Sequence, residues 1–103
     1  MSSRLSAADV QAALADLPGW SERKGMLVRT VKLPSFPLAL AAVVAVGATA
    51  QAMDHHPDID IRYRTLTFSL SSHDVGGISA RDVALAQEIT KILGADLGSK
   101  PPD

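Results

Sequence analysis

Residues 53–58 read MDHHPD and carry two of the chain's three histidines. The third, His73, lies in SSHDVGG, and Asp82 follows it in ISARD. Imidazole gives and takes protons near neutral pH, and it also ligates zinc. A His55-His56 doublet between Asp54 and Asp58 therefore admits three readings: a metal site, a proton relay, or polar residues on a turn that Pro57 enforces. Spacing favours metal least. Adjacent histidines splay apart, neither H-x-H nor an i, i+4 pair is present, there is no cysteine, and a zinc site would consume every histidine. Proton transfer fits better, because two or three imidazoles around one pocket can serve both ends of an elimination. A nearby carboxylate would then fix a tautomer and hold one ring protonated. Taken alone, the doublet leaves that reading level with a solvated turn.

The neighbouring residues each have a plain structural explanation. Asp82 stands three residues after Ser79, the form of a capping box, where an acid offsets the helix macrodipole whether or not anything binds. Arg81 reads as a surface charge, and Ser71 and Ser72 as turn hydrogen-bonders. Gly76-Gly77 is too short and isolated to be a phosphate loop. No G-x-S-x-G motif offers a nucleophile for covalent hydrolysis.

The chain that must position these groups has 103 residues, the size of one domain spanning 1–103. With 47% hydrophobic residues but only 4% aromatic, its core must rest on Ala, Val, Leu and Ile. A net charge of −1 argues against nucleic acid as the main partner, since phosphate binding needs a surplus of Lys and Arg. Absence of cysteine excludes disulfides and thiolate chemistry, and with no apolar leader segment at the start it fits a cytoplasmic protein. No residue from 33 to 53 is charged, but Pro34 and Pro37 interrupt the start of this stretch. Its helical part is shorter than the roughly 20 residues of a membrane span. A buried amphipathic helix, not a membrane segment, is expected.

Ser6 with Asp9 forms a first capping box, and Val10, Leu14 and Leu17 follow at helical spacing until Pro18-Gly19. Residues 20–23 and 26–33 read as a hairpin around Lys24-Gly25, although the returning strand's pattern implies two-sided burial or a slip. A second helix is expected over 38–53, with Leu40, Val43, Val44 and Gly47 on one face. Pro57 ends it and biases His56 towards extended backbone. Ile59, Ile61 and Tyr63 alternate, then Leu66, Phe68 and Leu70 take the opposite phase, so this is one bent strand or two short ones. A polar loop over 71–78 leads to a third helix with Val83, Ala86, Ile89 and Leu93 as its stripe and Gly94 as C-cap. The tail, 95–103, is expected to be flexible. This order predicts an α+β domain: an antiparallel sheet of three to four strands with three helices on one face. In that topology His55, His56, His73 and Asp82 could meet at one rim.

In register, these motifs resemble the pterin-4a-carbinolamine dehydratases. DHHPDIDIRY supplies His55, His56, Pro57 and Tyr63, and SSHDVGGISARD supplies His73, Asp74, Gly76-Gly77 and Asp82. Order and gaps match over 53–85, and Trp20 after Pro18-Gly19 and the Phe36-Pro37 helix entry agree more loosely. Two positions depart. Gln51 stands where the family often has an acid, so any carboxylate role there is lost. Ser72 stands where the family often has Thr, which keeps the hydroxyl. The resemblance implies dehydration of 4a-hydroxytetrahydropterin to quinonoid dihydropterin, in tetrahydropterin recycling, with no metal, nucleotide or flavin cofactor. It implies His55 and His73 as the acid and base pair, His56 orienting the pterin, and Asp82 orienting or charge-stabilising a histidine. Pro57, Ser71 and Ser72 would bind substrate. The partners it implies are the small-molecule pterin and further copies of the chain, as a homodimer or homotetramer. A non-catalytic pterin-binding or dimerisation module of the same fold is the alternative.

Overall fold

The computed structural model describes residues 3–94. The expected flexibility of 95–103 lies outside the described residues. The elements are α1 (Ala7–Ala15), β1 (Ser21–Arg23), β2 (Met26–Lys32), α2 (Phe36–Met53), β3 (Asp58–Arg62), β4 (Thr65–Leu70), a single 3-10 turn (His73–Val75) and α3 (Ala80–Gly94). The strands form one antiparallel sheet in the order β1-β2-β4-β3, with the helices layered on one face. This is the α+β architecture the patterning implied.

The first capping box is present: the Asp9 N–H donates to Ser6 Oγ at 3.1 Å. Lys24 and Gly25 both take positive φ, 52° and 76°, the geometry a two-residue hairpin turn needs to match strand twist. The ambiguous phase of β2 resolves by register. Leu27, Arg29 and Val31 share the helix-facing side, while Val28 and Thr30 pair with Ser69 and Thr67 on the open side. Arg29 is the residue that blurred the pattern. Its guanidinium reaches Thr90 of α3 at 3.4 Å, where the buried Trp20 indole N–H also donates at 2.9 Å. Burial lowers the Arg29 pKa from its ordinary value.

Helix α2 differs from expectation in two ways. It starts earlier, because Ser35 caps it by accepting the Leu38 N–H at 3.3 Å, and Pro37 fits the first turn, where its missing N–H costs nothing. It also buries a different stripe. Ala39, Ala42, Val46 and Ala50 face the core, whereas Leu40 and Val44 are exposed, Val44 at 71%. The large side chains that fill the interlayer space come from the sheet and α3: Leu27, Leu66, Phe68, Leu85 and Ile89. Against them only small residues let the helix approach closely. By length and composition α2 qualifies as a membrane span, but its alanine stripe is part of the core.

The phase flip after Ile61 is a hairpin. Tyr63 turns the chain with φ 56°, and Ile59 and Ile61 then lie opposite Phe68 and Leu66. Two short strands thus present one apolar face. On α3, Leu85 joins Ala86, Ile89 and Leu93 in the buried stripe, and Val83 packs at its margin.

Candidate active site

The opening motif is a helix ending. Asp54 adopts the left-handed conformation, its N–H donates to Gln51 O at 3.2 Å, and the His55 N–H reaches back to Ala50 O at 3.1 Å. These two bonds form a Schellman motif, and Pro57 just beyond prevents helix continuation. The cap holds the His55 backbone against the last turn of α2. It sends His55 inward, where it is buried, and leaves His56 exposed.

The His55 Nε2 meets Asp82 Oδ1 at 2.5 Å. Asp82 is fully buried in the first turn of α3. Its other oxygen, Oδ2, accepts from Ser72 Oγ at 2.8 Å and from the Ser79 N–H at 2.9 Å. Ser79 Oγ lies 2.7 Å from Ser72 Oγ and accepts the Arg81 N–H at 3.2 Å. One carboxylate therefore does two jobs: it completes the cap of α3 and partners an imidazole. An ionised carboxylate only accepts, so beside ionised Asp82 the His55 Nε2 carries the proton, and in the neutral ring Nδ1 keeps its lone pair.

His73 enters from the far side. A bridge between Ser72 and Gly77 closes the 72–77 loop, with Ser72 N–H to Gly77 O at 2.8 Å. Gly77 has a packing reason: a Cβ there would lie 2.7 Å from the Arg4 side chain. Gly76 takes φ 69° to end the 3-10 turn that carries the exposed His73. A cleft of about 280 Å³ results, lined by Asp54, His55, His56, Ser71, Ser72, His73, Asp74 and Arg81.

The structure thus brings all three histidines to one cleft with Ser71 and Ser72. Pro57 does not line it, and its place is in shaping the turn. Asp82 does not line it either, since it stands behind His55. Asp54 both caps α2 and borders the cleft. Gln51, the departure from the family pattern, accepts from His56 Nε2 at 3.0 Å. Three contributors were not legible as such. Arg81 and Asp74 form an ion pair of 2.6 Å at the cleft mouth, and that hydrogen bond holds the Asp74 carboxyl below its usual range. Ser79 links the cap to Ser72. The S-A-R-D cap motif was the available signal for Arg81 and Ser79, because residues in a helix's first turn face whatever lies at its N-terminus. No group of three His, Cys, Asp or Glu side chains among the described residues is placed to hold a metal ion.

Comparison with known proteins gives the family and the fold. Residues 3–92 match the family model described as pterin 4 alpha carbinolamine dehydratase. A Roseiflexus sp. (strain RS-1) protein, named "Putative pterin-4-alpha-carbinolamine dehydratase", is 47% identical over 93 residues, covering 90% of this chain and all of the relative. A Mycolicibacterium smegmatis protein of the same name is 52% identical over 89 residues, covering 86% of this chain and 95% of its own. Among solved structures, a transcriptional coactivator/pterin dehydratase from Brucella melitensis superposes with TM-score 0.86 at 26% identity, covering 88% of this chain and 99% of that one. A pterin dehydratase-like RuBisCO assembly factor of the alpha-carboxysome shares the fold, with TM-score 0.61 at 18% identity, covering 75% of this chain and 89% of that one. With a family model spanning nearly all of its described residues and close relatives matched almost end to end, the chain belongs to the pterin 4 alpha carbinolamine dehydratase family.

Proposed function

We propose that the protein dehydrates 4a-hydroxytetrahydropterin to quinonoid dihydropterin by histidine acid–base catalysis, in tetrahydropterin recycling in the cytoplasm. The observation that carries this reading is the His55–Asp82 pair facing His73 across one cleft. The 4a-hydroxyl leaves as water only when an acid protonates it, and N5 must lose its proton to a base. His55 and His73 form that pair. Asp82 holds the His55 ring and stabilises it when doubly protonated, and His56 with Ser71 and Ser72 orients the flat, polar-edged pterin. This chemistry needs no metal or organic cofactor.

The exposed face of α2 supports a homodimer or homotetramer. Leu40, Val44 and Phe36 lie on the surface, and Phe36 stacks on the exposed Tyr63 with centroids 6.2 Å apart. Large apolar side chains grouped in this way mark an association surface.

The decisive experiment follows loss of 4a-carbinolamine absorbance with and without protein. His55→Ala and His73→Ala are expected to abolish the acceleration, and a chelator to leave it intact. Unchanged turnover in either variant would overturn the mechanism. One observation favours a second reading, a non-catalytic binding or assembly module: the partner of His56 is the neutral Gln51 amide, at the position where the resemblance leads one to expect an acid. In that case pterin raises the unfolding temperature but is not turned over.

A further inference from the structure

Arg81 and Asp82 are consecutive residues in the first turn of α3, so their side chains diverge by about 100° around the helix. Asp82 points inward to His55. Arg81 crosses the cleft mouth and donates to Asp74 Oδ1 at 2.6 Å. Asp74 is the central residue of the turn that carries His73.

His73 has little else to hold it. Its ring makes no hydrogen bond with another described residue, and it is exposed. The backbone of its turn closes on itself, by Val75 N–H to Ser72 O and Gly76 N–H to His73 O, both 3.2 Å. The Arg81–Asp74 bond is a second side-chain tie to the helix that holds Asp82, and it grips the middle of the turn, where the Ser72 Oγ to Asp82 Oδ2 bond grips its start. The Arg81 Nε is buried with no partner, so the guanidinium is tucked against the protein while its far end reaches Asp74. A free surface ion pair contributes little. This one holds Asp74, the residue after His73, which the Ser72 bonds to Asp82 and Ser79 do not reach.

We propose that Asp74 and Arg81 are positioning residues that set His73 relative to His55, so that two adjacent residues of one helical turn place both members of the acid–base pair. This rests on the assignment of His73 to that pair. The charged and titratable groups that line clefts with His73 are Asp54, His55 and His56 at the end of α2, Asp74 on its own turn, Arg81 on α3, and Lys24 in the β1–β2 turn.

The test is a double-mutant cycle of Asp74→Asn and Arg81→Gln in the full chain, with Arg81→Lys as the conservative variant. Melting curves establish that each folds. If the pair positions His73, each single substitution lowers kcat by about tenfold or more with KM little changed, since small misplacements are costly in catalysis. The double variant is then no worse than either single, because one interaction is removed in all three. Arg81→Lys restores part of kcat. Three results would overturn the proposal: multiplicative losses, a rise in KM alone for Arg81→Gln, or pH profiles moved in opposite directions by the two singles at unchanged maximal kcat. The last would mean that the pair acts through charge and not through position. The His73 imidazole signals in NMR provide an arm independent of turnover. Both singles should change their chemical shift and broaden them through added motion, even in a protein that does not dehydrate pterins. Signals unchanged in both variants would sink the idea by themselves.

Discussion

Replacing Asp82 with asparagine keeps shape and removes charge, and the structure dictates how the amide must sit. Oδ2 accepts from the Ser79 N–H and from Ser72 Oγ. The Ser79 N–H can only donate, so the amide oxygen takes that side and the NH2 group faces His55 Nε2. The imidazole must then accept at Nε2 and move its proton to Nδ1, the nitrogen that the proposed mechanism turns to substrate. The tautomer is inverted, and a doubly protonated ring would face a donor. In stability, charge-assisted hydrogen bonds become neutral ones, a loss of about 1–3 kcal/mol. For a domain of this size that corresponds to a Tm fall of roughly 5–15 °C. In catalysis, losing a correctly protonated acid or base lowers kcat by about 10²–10⁴-fold. Trp20, the single tryptophan and buried, reports unfolding by fluorescence, while stopped-flow loss of 4a-carbinolamine absorbance reports turnover. A folded Asp82→Asn variant with kcat within about threefold of the parent refutes the reasoning.

Gln51→Glu should favour the imidazolium form of His56, because a carboxylate would replace the amide oxygen 3.0 Å from Nε2. The His56 titration midpoint then moves to higher pH by NMR, and an unmoved midpoint contradicts this contact. Ala42→Leu overpacks a fully buried position and should cost about 1–3 kcal/mol, whereas Val44→Ala, on the exposed face, should not destabilise the isolated subunit measurably. Urea titrations that rank them the other way would reverse the assigned face of α2. Val44→Lys should lower the molar mass seen by sedimentation, and an unchanged assembly would exclude this face as the subunit contact. Arg81 depresses the Asp74 pKa in the folded state, so the stability from this pair is present above the unfolded carboxylate value and is lost as pH falls through the lower folded value. Asp74→Asn should therefore be less stable than the parent at neutral pH and equal to it in strong acid. A difference that persists in acid would point to something other than the ion pair.

Element existence was legible because it rests on local rules. Ser6-Ala-Ala-Asp9, Lys24-Gly25 and Pro57 each specify a cap, a turn or a stop within a few residues, and each appears where those rules place it. The buried face of α2 was not legible. Hydrophobicity alone ranks Leu40 and Val44 above Ala39 and Ala42, yet burial went to the alanines because the sheet and α3 already fill the space between layers. The phase flip after Ile61 fits either a bend or a break, and only strand pairing shows that the chain returns with Leu66 and Phe68 opposite Ile61 and Ile59.

The same division runs through the site. Sequence alone determined that two histidines follow a forced helix end and that an acid opens the last helix, because proline geometry and capping are local chemistry. It could not distinguish a solvated doublet from a working one, since that depends on groups distant in the chain. Tertiary structure decided the difference between the neighbours: His55 turns inward onto a buried carboxylate, and His56 stays outside with Gln51. It also gave Asp82 and Arg81 separate tasks, one behind each histidine. The physical reason is that a buried charge is stable only beside its partner, and only the packed sheet and helices bring residues 55, 72, 79 and 82 within hydrogen-bond reach.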